Sequence, residues 1–187
     1  DKQQNPIRLE TPGDMFMDQR NPTHKWIAIA RNVTGLVLLQ DNGTPDNPKD
    51  DQVTFRSTWM DQNNNQIAPT YIYSIAQDKN NALWVGTNSG LIVIPASIDF
   101  TTSNRCERVI MPRNDGTQLG DYLLDNEQVN AIVVDGANRL WIGTATSGLY
   151  LMQFTPSLDD ADNTLEMLAH YTIENSLLPI NDVLTLA

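Results

Sequence analysis

The chain has 187 residues, with 12 Lys+Arg against 23 Asp+Glu and a formal charge of −11. This length can enclose a sizeable core in one domain, and the negative charge, with no clustered basic stripe, excludes nucleic acid as an expected partner. Hydrophobic residues make up 40% without a long apolar run, so no bilayer span is expected, and the single Cys106 allows neither an internal disulfide nor a multi-Cys zinc site.

The sequence opens at Asp1, without an initiator Met or a basic-then-apolar leader, which reads as a mature end or an excised piece. Met15-Phe16-Met17-Asp18 predicts a strand running into a turn. Lys25-Trp26-Ile27-Ala28-Ile29-Ala30, then Thr34-Gly35-Leu36-Val37-Leu38-Leu39, predicts a hairpin. The pattern returns as Leu83-Trp84-Val85-Gly86-Thr87 with Ser89-Gly90-Leu91, and again as Leu140-Trp141-Ile142-Gly143-Thr144 with Ser147-Gly148-Leu149. Trp26, Trp84 and Trp141 stand 58 and then 57 residues apart, so the chain is an internal repeat.

Within the second unit, Tyr71 to Asp78 is aromatic and β-branched and predicts a strand. Lys79-Asn80-Asn81 follows as a turn, with the Asp78 carboxylate placed to accept backbone N–H groups. A turn at Asn88-Ser89-Gly90 leads to a third strand, Leu91 to Ile94. In the third unit the same order is Val129 to Val134, a turn from Asp135 to Asn138, the Trp141 strand, a turn at Gly148, and Leu149 to Phe154. Outer fourth strands are expected at Val53 to Met60, Cys106 to Met111 and Leu165 to Thr172. The tail after Tyr171 reads as a loop and the first strand of a further unit.

Four antiparallel strands per unit and no helical pattern predict an all-β fold, a β-propeller segment of about three four-stranded blades plus the first strand of another. The expectation is one partial propeller over 1–187, with units about 13–60, 69–111 and 128–173 and a truncated unit from 179. Trp26, Trp84 and Trp141 would lie between blades. Gly86 and Gly143 would permit close sheet approach, and Gly35, Gly90 and Gly148 would supply turns with positive φ. Closed propellers have about 4 to 8 blades, so the chain reads as a piece of a longer protein, prone to self-association through uncovered blade faces.

The run of apolar strand, Asp78 or Asp135, short turn, aliphatic-Trp-aliphatic-Gly-Thr and Ser-Gly-Leu resembles the two-component regulator propeller repeat. Asn175-Ser176-Leu177-Leu178-Pro179 with Asn181-Asp182-Val183 is similar to that family's recurrent blade opening. The first unit departs from it, with Ala28-Ile29-Ala30 in place of the Gly-Thr step and a turn lengthened by Val33-Thr34. Asp41-Asn42-Gly43-Thr44-Pro45, Phe55-Arg56-Ser57, Pro112 to Thr117 and Asp121 to Arg139 resemble PorZ-like propeller proteins of Bacteroidetes. That resemblance implies an extracytoplasmic, surface-associated protein connected with type IX secretion and with anionic lipopolysaccharide.

Catalytic chemistry finds no foothold. His24 and His170 belong to different units and read as solvated turn and strand residues, not a metal pair. Asp41, Asn42, Asp46, Asp50 and Asp51 around Gly43, and Asp159, Asp160, Asp162, Asn163 and Glu166, lack the spacing of a calcium loop and read as solubilising charge. There is no Gly-x-Ser-x-Gly elbow and no phosphate-cradling loop, and Cys106 reads as a small apolar residue. No metal or cofactor is expected.

Aromatic residues outside the repeat carry the binding expectation: Tyr71, Tyr73, Trp59 and Tyr122, with Arg113, suit sugar or peptide recognition. Filling of inter-blade space is the competing reading for Tyr71 and Tyr73. The chain is thus expected to be a non-enzymatic scaffold presenting loops to a protein or a cell-surface glycan such as lipopolysaccharide. The alternatives are a periplasmic glycan-sensing propeller of a hybrid two-component regulator, and a propeller polysaccharide hydrolase or lyase.

Overall fold

The structure is a computed structural model and describes residues 12–30, 33–113, 117, 119–155 and 164–187. Every regular element among them is a strand, and no helix there is long and apolar enough to cross a membrane. The first sheet runs β1 (Pro12–Met17), β2 (His24–Ile29), β3 (Gly35–Gln40), β4 (Gln52–Arg56), each antiparallel to the next. A short hairpin, β5 (Trp59–Met60) and β6 (Gln66–Ile67), leads to a sheet of β7 (Ile72–Gln77), β8 (Leu83–Thr87) and β9 (Gly90–Ile94). After a second hairpin, β10 (Ile110–Pro112) and β11 (Gly120–Tyr122), come β12 (Val129–Val134), β13 (Arg139–Thr144), β14 (Leu149–Thr155) and β15 (Thr164–Tyr171). The chain is an all-β propeller segment.

The three sheets repeat in register as well as in order. Each tryptophan faces the residue two before the turn aspartate: Trp26 opposite Phe16, Trp84 opposite Ala76, Trp141 opposite Val133. Each first strand carries a one-residue bulge near its start, between Pro12 and Met15, Ile72 and Ser74, and Val129 and Ala131. Such a bulge sharpens the local twist that lets neighbouring blades splay.

The turn aspartate does more than the sequence reading assigned to it. One oxygen of Asp18, Asp78 or Asp135 accepts backbone N–H groups of its own turn, as expected for Asp78. The other accepts the indole N–H of the same unit's tryptophan, at 3.0, 2.9 and 3.3 Å respectively. A buried indole donor is thereby satisfied and the ring is fixed in one orientation.

Burial pushes the Asp18 carboxyl upward, but the Trp26 indole and the turn N–H groups outweigh it and hold it below the usual carboxylate range. At Asp135 the Arg139 backbone N–H is the largest cause, with the Arg139 side chain and the indole adding to it, and the carboxyl lies well below that range. The unfolded chain therefore takes up these protons at higher pH than the folded one. Each contribution is present above pH ~4 and is lost as pH falls through the lowered folded value. The melting temperature is expected to hold between about pH 7 and 5 and to fall steeply below about pH 4. A flat profile into strong acid would show that these carboxylates carry no stability.

Two outer strands differ from expectation. Val53 to Met60 is not one strand: pairing with β3 stops at Arg56, and after Ser57-Thr58 the chain turns Trp59 into the core. Asp61 closes the new hairpin, its carboxylate accepting the Asn63 and Asn65 backbone N–H groups at 2.9 and 2.7 Å. Cys106 to Met111 is likewise broken. Glu107 alone pairs with Val93, Cys106 donates its N–H to the Met60 carbonyl, and Ile110 to Pro112 leave to pair with Gly120 to Tyr122. At the tail, residues 179–187 form no strand among the described residues. Val183 donates its N–H to the Thr144 carbonyl and packs on Gly143, as Val129 packs on Gly86.

Packing follows the repeat. Trp26, Leu36 and Leu38 of the first sheet bury against Ile72, Val85 and Ile92 of the second, with Trp59 and Phe100 between them. Trp84, Leu91 and Val93 of the second bury against Ile132, Ile142 and Met152 of the third. Trp26 meets Phe100 edge-on at 5.0 Å, and Trp84 meets Phe154 at 5.8 Å. Trp141 is half-buried and stacks on Tyr171 at 6.3 Å. Gly86 and Gly143 are close-approach positions: a Cβ on either would sit 2.8 or 2.7 Å from a valine methyl of the following unit. Gly35 corrects the turn expectation. Its φ is not positive, and it is glycine because a Cβ would lie 2.4 Å from the Phe55 ring.

Candidate functional site

The hairpin turns lie on two opposite faces. The lower face carries the Asp18, Asp78 and Asp135 turns. The upper face carries the β2–β3, β8–β9 and β13–β14 turns and the segments that lead into β7 and β12. On the lower face the units are stitched together. Gln19 donates its N–H to the Gln77 side chain at 2.7 Å, and Lys79 donates its N–H to Asn138 Oδ1 at 2.8 Å while its Nζ reaches the Gly136 carbonyl.

On the upper face a shallow groove of about 430 Å³ opens between the first and second sheets. Its walls are Val33-Thr34 of the β2–β3 turn, Ser57-Thr58 before β5, and the run Ala68-Pro69-Thr70-Tyr71 before β7. The first unit's departure from the repeat makes this space. In the other units Thr87 or Thr144 closes a tight turn by donating its hydroxyl to the Gly90 or Gly148 carbonyl, at 2.8 and 2.9 Å. Ile29 holds that position in the first unit and has no hydroxyl, and its connection to its partner Gly35 is longer in sequence and includes Val33 and Thr34.

The rim is rigid. Asn88 Oδ1 accepts the Thr70 and Tyr71 backbone N–H groups at 2.9 and 3.0 Å, and Asn88 N–H donates to the Tyr71 carbonyl at 3.2 Å. Thr34 Oγ1 donates to the Thr70 carbonyl at 2.5 Å, tying the first unit to the second. Tyr71 is 43% exposed and stacks on half-buried Tyr73 at 5.9 Å and 25°. Nothing in the sequence distinguishes Asn88, whose position after Thr87 reads as an ordinary turn residue.

The expected binding residues therefore part company. Tyr71 and Tyr73 stand together at the groove. Trp59 does not present a surface: it is fully buried between the first two sheets, because the β5–β6 hairpin folds it inward. Tyr122 and Arg113 belong to the β10–β11 hairpin region. The Arg108 guanidinium lies 4.0 Å over the Tyr122 ring, and Asn63 Nδ2 donates to its hydroxyl at 2.8 Å. Arg113 pairs with Asp121 and holds that carboxyl below its usual range.

Other candidates are structural in this arrangement. His24 Nε2 lies 3.1 Å from Gln40 Nε2, while His170 Nε2 donates to the Ser147 carbonyl and the His170 ring stacks on Tyr150 at 4.0 Å. Asp41 pairs with Lys25 and caps the Gly43 N–H, while Asp50 accepts the Thr44 hydroxyl at 2.8 Å. The run from Asp159 to Asn163 lies outside the described residues, and among those described no three His, Cys, Asp or Glu side chains cluster as metal ligands. Burial pushes the Cys106 thiol up to about 12, so it is protonated and unreactive at neutral pH. A thiol-titrating reagent is expected to find no cysteine in the folded chain and one after denaturation; rapid native labelling would contradict the buried placement.

Residues 66–89 and 123–146 match the two component regulator propeller family. No curated protein matches the sequence. Among solved structures, PorZ, an essential bacterial surface component of the type-IX secretion system of Porphyromonas gingivalis, is 27% identical with a TM-score of 0.75, covering 95% of this chain and 23% of its own. The extracellular domain assigned to a hybrid two component system of B. thetaiotaomicron is 19% identical with a TM-score of 0.53, covering 89% of this chain and 19% of its own. The chain spans less than a quarter of either structure. With its sheets, registers and Asp–Trp closures, it is a β-propeller segment bearing two copies of the two-component regulator propeller repeat and similar to PorZ.

Proposed function

We propose that this chain is a non-enzymatic, extracytoplasmic display segment of a PorZ-like surface component, whose upper-face loops meet a protein or glycan partner in type IX secretion. The observation that carries this reading is the groove beside Tyr71, whose rim is held by three hydrogen bonds to Asn88. A rim ordered before contact lowers the ordering cost of binding. The similarity to PorZ supports the secretion context.

The test replaces the 68–71 loop of the parent protein with a Gly-Ser loop in the producing bacterium and measures release of secreted cargo. Cargo retained in the periplasm is the expected result. Normal secretion with a changed transcriptional response to sugars would instead favour the sensing role, which the fold shared with the hybrid two component system domain supports. Exposed Met17 and Val53 flank Lys25 and Leu39 in one row across the first sheet, so the isolated chain is expected to self-associate. Light scattering should show a concentration-dependent mass that Met17→Glu lowers; a constant monomer mass would refute this.

A further inference from the structure

We propose that the upper rim running from Tyr71 through Gln128 to Asp182 binds an uncharged oligosaccharide, an inference that rests on the display reading above and names its ligand class. The repeat assembles this rim. The first strands β1, β7 and β12 pack side by side along the inner edge of the sheets. Ile72 and Val129 stand at the same point before the bulges of β7 and β12, and Val183 packs on Gly143 as Val129 packs on Gly86. Tyr71, Gln128 and Asp182 are therefore one position in three successive units, and Tyr73 and Asn130 are the bulged residues that follow. A bulge re-aims the side chain it carries, which takes these residues out of the regular alternation.

The side chains are joined within units and between them. Tyr71 stacks on Tyr73 at 5.9 Å. Gln128 Nε2 donates to Asn130 Oδ1 at 2.7 Å, and Asn130 Nδ2 donates to Asp182 Oδ1 at 3.0 Å. A Cβ on Gly86 would lie 2.6 Å from Ser74 Oγ and 2.8 Å from the Val129 carbonyl oxygen, so the chain beside Tyr73 touches the chain beside Gln128. Asn130 is buried and anchors the row, while Tyr71 and Asp182 are exposed and Gln128 is half-buried. A pyranose shows an apolar C–H face, which an exposed tyrosine ring covers, and neighbouring hydroxyls that each donate and accept. A carboxamide sets a donor beside an acceptor and a carboxylate offers two acceptors, so Gln128 and Asp182 each suit a hydroxyl pair. The formal charge of −11 and the Asp182 carboxylate repel an anionic glycan. A lysine side chain has donors only, so it would use the carboxylate and leave the Gln128 N–H groups unused. A row already ordered by its own hydrogen bonds loses little freedom on binding.

The probes are cellohexaose, mannohexaose and xylohexaose, each titrated into the 187-residue chain by calorimetry. Because the rim is open, saturable binding of at least one of them with Kd of roughly 0.1–1 mM is expected. Tyr71→Ala should weaken it at least about tenfold, and Gln128→Ala or Asp182→Ala by about 3- to 10-fold each. Lys49→Ala, in the exposed β3–β4 loop, should leave it unchanged, and matched thermal melts should show that all variants fold. Absence of binding by all three sugars, or binding that survives both Tyr71→Ala and Asp182→Ala, overturns the inference. So does Asp182-dependent binding of a blocked tetralysine peptide without sugar binding, which would make the rim a site for basic peptides. The display reading is judged separately by the secretion assay on the 68–71 loop, so it can stand while this inference falls.

Discussion

Replacing Trp84 with Ala is expected to remove roughly 4 kcal/mol of stability, and replacing Trp141 with Ala clearly less. Trp84 is 2% exposed, wedged between the second and third sheets against Phe154, and its indole N–H is the donor to Asp78. Alanine opens a cavity and also leaves a buried carboxylate oxygen without its partner, two penalties that add. Trp84→Phe separates them: it keeps most of the ring volume and loses the N–H, so about 1–3 kcal/mol is expected. Trp141 makes the corresponding bond at 3.3 Å but is only half-buried, so its truncation exposes less new surface. A domain of this kind is stable by about 5–15 kcal/mol in all, so the Trp84 loss should move a urea midpoint well outside error. Equal losses at the two positions would mean that the indoles do not act as inter-sheet wedges.

That contrast also explains what could be read from the sequence. The blade pattern was legible because each local signal repeats with the same register. Asp78 and Asp135 before a turn, Trp84 and Trp141 mid-strand, and Gly86 and Gly143 at the sheet crossing all recur at matching offsets. The outer strands were not, because period and composition alone do not say which partner an edge segment takes. Val53 to Met60 reads as one β-rich run, yet its second half pairs with Gln66-Ile67 once the Asp61 carboxylate closes a hairpin.

The candidate site was half legible for a related reason. Tyr71 immediately precedes β7 and Tyr73 lies within it, two residues apart in extended chain, so their proximity follows from β geometry. Trp59 looked like an equivalent surface aromatic, because burial depends on a long-range contact with the first two sheets that no local pattern encodes. The groove is lined by Val33 and Thr34, which the longer first-unit connection adds. It shows only when the tight Thr87 and Thr144 turns are set beside the wide first-unit turn.

The same turns give the second large effect. Gly148→Ala is expected to cost about 3 kcal/mol, whereas Gly136→Ala should be neutral or stabilise by about 0.4–1 kcal/mol. Gly148 holds φ of +85°, and a Cβ there would stand 2.2 Å from the Tyr171 carbonyl oxygen on the neighbouring strand. Both the backbone conformation and the space reject a side chain, and relief would pull β14 away from β15 at Leu149–Tyr171. Gly136 sits in the Asp135 turn without a positive φ, and nothing lies within 4 Å of the place its Cβ would take. Alanine there restricts the unfolded chain without straining the folded one. Chemical denaturation of the two variants should therefore give shifts of opposite sign, or one large loss beside no change. A Gly148→Ala variant as stable as the parent chain would mean that the tight upper turn is not what fixes the third blade.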